Sequence, residues 1–190
     1  VKQYYAAEID KHAIQVTQHN FPNTIQLGGV TKVFAKDLPR IDLLIGGSPC
    51  QGFSFAGKQL AFDDPRSKLF FEFVRLKNEC NPTYFMLENV KMKKEFEIII
   101  SKYMGVAPIE INSALLSAQN RVRLYWTNIA AEPYGLFGDM QCMIPQPKDK
   151  GILLRDILQS NVADKYYLTD KAIDRLNKAQ LIGIKAKVYP

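Results

Sequence analysis

Cysteine is scarce in this chain: three among 190 residues, at positions 50, 80 and 142. An odd number so widely spaced does not make a disulfide framework and fits a reduced, cytoplasmic setting. Histidine is scarcer still, with only His12 and His19. Both fall on one helical stretch and read as surface residues, so no metal site is expected. No apolar run reaches the length that crosses a bilayer, and no secretory signal pattern stands out, so no membrane partner is expected. Internal repeats and low-complexity tracts are lacking as well. Lys and Arg total 25 against 19 acids, a net charge of +6. That balance suits a polyanionic partner without specifying one.

What is present begins with Ile41-Asp42-Leu43-Leu44-Ile45-Gly46-Gly47-Ser48, followed directly by Pro49-Cys50-Gln51. A short continuous apolar run reads as a buried strand of a parallel sheet. Chemistry in open α/β sheets gathers at the carboxyl ends of strands, where Cys50 would sit. Position alone leaves Cys50 either a small buried filler or a nucleophile. A second apolar run, Tyr84-Phe85-Met86-Leu87, ends in Glu88-Asn89-Val90. A third stretch, Gln119-Asn120-Arg121-Val122-Arg123-Leu124-Tyr125-Trp126, alternates with period two. That period puts Gln119, Arg121 and Arg123 on one strand face. Either this is an exposed polar face, or something rich in acceptors lies above the two arginines.

Gly47-Ser48-Pro49-Cys50-Gln51-Gly52-Phe53-Ser54, Glu88-Asn89-Val90 and Gln119-Asn120-Arg121-Val122-Arg123 occur in that order. The chain thereby resembles the DNA (cytosine-5) methyltransferases. The resemblance runs from about residue 5 to 129 and continues more weakly to about 177. It implies an S-adenosylmethionine-dependent methyltransferase, with double-stranded DNA as partner and no metal. The full-length protein is expected to be a monomer, bacterial or phage-encoded and of restriction-modification type.

The chemistry explains the residue types. Carbon 5 of cytosine is a poor nucleophile until a thiolate adds to carbon 6 and makes the ring an enamine. The resemblance gives that part to Cys50, whose thiol needs a lowered pKa or a nearby base. It gives Glu88 the donor to ring nitrogen 3, which requires a protonated carboxyl and hence a raised pKa. Arg123 is expected to hold the cytosine carbonyl oxygen, and Arg121 to organise the loop and the DNA backbone. Gln51, Ser54, Asn89 and Gln119 are expected to contact or frame the substrate, with Asn89 positioning the Glu88 loop. The target base must leave the duplex to reach such a pocket. The loop from Gln51 to Gln59, with its glycines, phenylalanines and Lys58, is suited to closing over it. The sequence does not identify the base that removes the carbon 5 proton, and water remains open.

For the methyl donor, Tyr4-Tyr5-Ala6-Ala7-Glu8-Ile9-Asp10 reads as a strand ending in an acid. An acid there typically holds ribose hydroxyls in nucleotide-binding α/β folds. The resemblance assigns the ribose to Glu8 and the adenine to Ile9, with Pro49 and Leu69 lining the pocket. Asp10 reads as the N-cap of a helix over Lys11–Asn20. Two departures stand out. The family's glycine-rich donor loop upstream of the Glu8 strand has no counterpart. Gly28-Gly29-Val30 stands where the family usually has an acid against the adenine, so Gly29 removes that contact. The family's last motifs are absent as well, so the natural protein is expected to be longer at both ends.

Strands near Tyr5, Ile25, Leu43 and Phe85 alternate with helical patterns. This predicts an α/β fold with a doubly wound, mostly parallel sheet, Rossmann-like and incomplete. An antiparallel pair, Val106–Asn112 and Val122–Ile129, is expected at its edge. Helices are expected from Leu69 to near Asn81-Pro82, with Ser67 as N-cap, and from Glu95 to Met104, closed by Gly105. Prolines and glycines after Ile129 place a boundary there: 1–132 as a partial catalytic domain, 133–190 as the start of a target-recognition region. Short helices are expected at Leu153–Leu158 and at Asp170–Lys178, the latter capped by Thr169. One rival keeps the chemistry with transfer RNA as substrate, but that branch's Cys-Phe-Thr signature is missing. Another is a non-catalytic DNA-binding accessory subunit, and known accessory relatives have lost the thiol or the carboxylate. A third is an inactive piece of an active enzyme.

Overall fold

The computed structural model describes residues 3–48, 68–136 and 138–181. Strand β3 (Leu43–Gly47) lies parallel to β4 (Tyr84–Val90), the two joined through helix α2 (Lys68–Cys80). Beyond β4 the sheet turns antiparallel. Strand β6 (Val122–Thr127) inserts between β4 and β5 (Ile109–Asn112), giving the order β3-β4-β6-β5. The parallel pairing goes with the long crossover, and the antiparallel edge with the short connection between β5 and β6. A second parallel pair, β1 (Tyr5–Ala6) with β2 (Ile25–Gln26), flanks helix α1 (Lys11–Asn20). The result is a mixed α/β, Rossmann-like fold with the expected antiparallel edge.

Helix ends follow local chemistry. Asp10 Oδ1 accepts from the amides of His12 and Ala13, capping α1. Helix α3 (Lys94–Met104) stops at Gly105, whose φ of 73° is the left-handed closure glycine provides cheaply. Strand β1 is far shorter than the Tyr4–Asp10 run suggests, because β2, its partner among the described residues, is two residues long.

The core forms on one face of the four-stranded sheet. Phe85 and Leu87 of β4 and Leu124 and Trp126 of β6 pack with Phe70, Phe73 and Val74 of α2 and Phe96, Ile100 and Met104 of α3. Gly46 is where α2 comes closest: a Cβ there would meet the Phe73 ring at 2.6 Å. The other sheet face is open among the described residues, with Leu43, Ile45 and Tyr84 about half exposed. Register places Gly47 beside Glu88 on this open face, and Arg123 lies on it two residues along β6 from Tyr125, the partner of Glu88. The sheet therefore packs its core residues on one side and presents Glu88 and Arg123 on the other.

A hairpin of β7 (Ala131–Tyr134) and β8 (Asp139–Cys142) follows. It is tied back where the Ala107 amide donates to Met140 O and Cys142 Sγ donates to Ile129 O. The first compact unit accordingly runs to Gly151, further than the 132/133 boundary expected from proline and glycine content. The second unit begins at Ile152. It holds α4 (Leu154–Ile157) and α5 (Asp170–Leu181), the latter capped by Thr169 through the Ala172 amide. Among the described residues no helix is long and apolar enough to cross a membrane. Cys80 and Cys142 are free thiols, and burial pushes the Cys80 pKa up.

Candidate active site

Three of the expected site residues meet at the carboxyl ends of β3 and β4. Arg123 Nε lies 2.9 Å from Glu88 Oε1, and Arg121 Nη2 lies 3.5 Å from the same oxygen. Arg123 lies on β6 and Arg121 just before it, and both reach one carboxylate. Arg123 Nε is buried yet has no aligned hydrogen-bond acceptor, so its contact with Glu88 is an ion pair off the donor axis. Arg123 Nη1 donates to Val122 O at 2.8 Å, which fixes the guanidinium. The other carboxylate oxygen of Glu88 approaches Gly47, where a Cβ would stand 3.2 Å away. Glycine is needed there for proximity and not for an unusual φ.

Asn89 points to the opposite face and is 1% exposed. Its Nδ2 donates to Ser48 Oγ at 3.0 Å and reaches Ser48 O at 3.5 Å, while Oδ1 accepts from the Val90 amide. Asn89 thus fastens the last described residue of the β3 end, two positions before Cys50, and does not face an open pocket. Pro49, Cys50, Gln51 and Ser54 lie outside the described residues, as do Lys58 and the expected cap Ser67.

Gln119 is exposed and, like Arg121, precedes β6, which starts at Val122, so of the three residues expected on one strand face Arg123 alone lies on the strand. The cause is Asn112, which the sequence reading missed. Its Oδ1 accepts from the amides of both Ala114 and Arg121, and its Nδ2 donates to Asn120 Oδ1. These bonds fasten Asn120 and Arg121 to the end of β5. An asparagine at a strand end followed by Ser-Ala is a turn-forming signal that could have revealed it.

The expected donor residues sit beyond β1. Glu8 Oε1 accepts from the amides of Ile9 and Asp10 at 2.7 and 2.8 Å, so its carboxylate is fixed by its own backbone. Ile9 is 80% exposed, an unusual state for an isoleucine in a folded unit. Gly29 faces it: a Cβ on Gly29 would lie 3.5 Å from Ile9 Cγ2. Leu69 is half-buried in the first turn of α2. A separate cavity of about 270 Å³, lined by Lys77, Asn78, Asn81, Pro82, Phe85 and Asn128, lies at the other end of β4. Burial depresses the Lys77 pKa there. Among the described residues, no group of three or more His, Cys, Asp or Glu is placed to hold a metal ion.

The profile of the C-5 cytosine-specific DNA methylase family matches residues 1–188. The chain belongs to this family. It is 39% identical over 186 residues to the Type II methyltransferase M1.ScrFI of Lactococcus lactis subsp. cremoris, covering 92% of this chain and 47% of that protein. It is 32% identical over 182 residues to the Type II methyltransferase M.NlaX of Neisseria lactamica, covering 90% and 56%. Among solved structures, a DNMT2 mutant of Spodoptera frugiperda superposes with a TM-score of 0.59 at 26% identity, covering 92% and 57%. The chain spans about half the length of the curated methylases it matches.

Proposed function

We propose that the protein transfers a methyl group from S-adenosylmethionine to carbon 5 of cytosine in double-stranded DNA, as the modifying partner of a restriction system. The observation that carries this reading is the Arg123–Glu88 pair. A buried guanidinium N–H stands beside a carboxylate without an aligned acceptor of its own. Such a pair is suited to receive a third polar group that offers an acceptor to Arg123 and a ring nitrogen to Glu88. A cytosine presents both on one edge, its carbonyl oxygen beside nitrogen 3. The relatives named above are methyltransferases of Type II systems, which supports the restriction-modification assignment.

In this reading Cys50 adds to carbon 6 as thiolate, and electrons move toward nitrogen 3, where Glu88 supplies a proton. Both guanidinium groups sit at one oxygen of Glu88, so an incoming base would share the Arg123 contact with it. Asn89 fixes the strand end from which Cys50 emerges, and Gly47 leaves room for the carboxylate. Arg121, more exposed than Arg123, is left for the DNA backbone and the loop. Gln119, Gln51 and Ser54 complete the substrate contacts. The residues toward the donor fit it: Glu8 holds a preset carboxylate for the ribose hydroxyls, while exposed Ile9 and side-chain-free Gly29 leave a flat apolar place for adenine. Pro49 and Leu69 would line the rest. The donor supplies an electrophilic methyl group when bound. The segment 133–190 is the start of the target-recognition region, and its boundary with the catalytic part is functional, distinct from the compact division at Gly151.

The test uses the full-length gene product and DNA carrying 5-fluorocytosine. The wild type should form a donor-dependent covalent complex, and Cys50→Ser should lose it while still binding DNA. Undiminished capture by Cys50→Ser would sink the nucleophile assignment. Methyl transfer to transfer RNA but not to DNA would sink the substrate assignment.

A further inference from the structure

Arg75 is the most heavily bonded side chain among the described residues, and the proposed chemistry does not use it. Its Nε donates to Glu72 Oε2 at 3.0 Å, and Nη1 reaches both oxygens of Glu79 at 3.0 and 2.9 Å. Those bonds stay within α2. Nη2 donates to Glu72 Oε2 at 2.7 Å and also reaches out of the helix, donating to Val33 O at 2.8 Å and Val30 O at 3.3 Å, more than forty positions earlier in the chain. The guanidinium also lies 5.3 Å from the centre of the Phe34 ring, and Glu79 Oε2 accepts from the Ala35 amide. Arg75 with its two glutamates is therefore a clamp that holds the turn from Gly29 to Ala35 against α2.

That turn has little else to hold it. Between β2 and β3 the chain makes two short 3-10 turns, Val30–Lys32 and Ala35–Asp37, and no strand pairing. Val33 is its one buried apolar residue. Gly29 caps the first 3-10 turn and is the residue that faces Ile9. A shift of the Val30 carbonyl would move Gly29 relative to Ile9, and with it the proposed adenine place.

We infer that Arg75 is a positioning residue for the methyl donor, acting through the carbonyls of Val30 and Val33 to set the distance between Gly29 and Ile9. The inference rests on the donor reading of Glu8 and Ile9. A rigid fork suits the task, because two carbonyls and two carboxylates must be bonded together and a lysine reaches only part of that set. Arg75 touches neither the donor nor the base, so its loss lowers donor affinity and leaves the chemical step intact at saturating donor.

The experiment measures kcat, KM for S-adenosylmethionine and KM for DNA in the full-length protein, with Arg75→Met, Arg75→Lys and Glu8→Gln. Active-site concentration is normalised by trapping on 5-fluorocytosine DNA, so partial unfolding does not enter the constants. Arg75→Met should raise the donor KM about tenfold, the factor given by roughly 1.4 kcal/mol of lost pre-organisation. Its kcat and DNA KM should stay within about twofold, with Arg75→Lys in between. A wild-type donor KM in a folded Arg75→Met overturns the inference. Should Arg75→Met fail to fold, Arg75→Lys decides: a raised donor KM supports the clamp, and a wild-type one overturns it. Glu8→Gln separates the two readings. If it leaves donor KM unchanged, the donor site itself is misassigned; if it raises KM while the Arg75 variants do not, only the clamp fails.

Discussion

Glu88 and Arg123 form a half-buried ion pair across the antiparallel edge of the sheet, at 2.9 Å, with Arg121 as a looser third member at 3.5 Å. Both guanidinium groups approach Oε1 of the Glu88 carboxylate, and its Oε2 lies toward Gly47. Such a group is held in place before any substrate arrives, which is what a positioned proton donor requires. Glu88→Gln keeps the shape but cannot move a proton to the ring. Methyl transfer should fall by a hundredfold or more, on the order of the usual general-acid contribution, with DNA affinity little changed. Single-turnover transfer with labelled donor checks this, and a loss of only about twofold would remove Glu88 from the mechanism.

Gly46 and Gly47 are adjacent but should respond differently to alanine. At Gly46 the new methyl would stand 2.6 and 2.9 Å from ring carbons of Phe73, in the packed core. Gly46→Ala should destabilise by about 1–3 kcal/mol through overpacking. At Gly47 the methyl would meet the Glu88 carboxylate at 3.2 Å, an end that can give by a few tenths of an ångström, and the Glu88 carbonyl oxygen at an ordinary 3.7 Å. Gly47→Ala should unfold near the wild-type midpoint but transfer methyl groups roughly tenfold more slowly. The single tryptophan, Trp126, is fully buried in the core and reports the unfolding by fluorescence.

Asn89 links the two strand ends that carry the chemistry. Asn89→Ala leaves the Ser48 hydroxyl and the Val90 amide without their partner in a buried place. The expected cost is about 1–3 kcal/mol of stability. Covalent capture of 5-fluorocytosine DNA should also slow, since the segment leading to Cys50 loses its anchor. Asn89→Asp should be worse in denaturant unfolding, because it buries a charge where the amide donated. Equal stability of the aspartate variant and the wild type would contradict the burial argument.

These relationships were unequally legible in the sequence. Caps were readable because they are local: Asp10, Gly105 and Thr169 each bond within a few residues, and α1 occupies Lys11–Asn20 as expected. Period two puts Arg121 and Arg123 side by side, and both do reach Glu88, although Arg121 lies just before the strand. Strand length was not, because a strand extends only as far as its neighbour does, and β1 and β2 end together after two residues. Gln119 was placed on the strand because alternation continues through it, but the Asn112 side chain claims the Arg121 amide and starts the strand later. Arg75 was read only as part of a helical pattern. Its distinctive partners are backbone carbonyls far away in the chain, and no local composition announces them.

The Arg75 clamp has an acid limit. Hydrogen bonding from Arg75, with help from the Ala35 amide, holds the Glu79 carboxyl below its ordinary pKa. Burial works against the Arg75 charge, but its bonds to Glu72 and Glu79 outweigh that and its pKa is raised. A depressed carboxylate binds fewer protons in the folded chain than in the unfolded one. Its contribution to stability is complete above the ordinary carboxylate range and is lost as pH falls through the depressed value. Glu79→Gln removes that titration, so the acid limb of its stability curve should be shallower than the wild type's, while the two curves run parallel near neutrality. Glu79 is on the surface, where salt screens such pairs, so the difference between the two limbs should shrink as ionic strength rises. Denaturant midpoints taken from pH 7 down into the acid range, at low and high salt, decide it. Identical acid limbs at low salt would show that the bonds of Glu79 to Arg75 and to the Ala35 amide contribute nothing to folding.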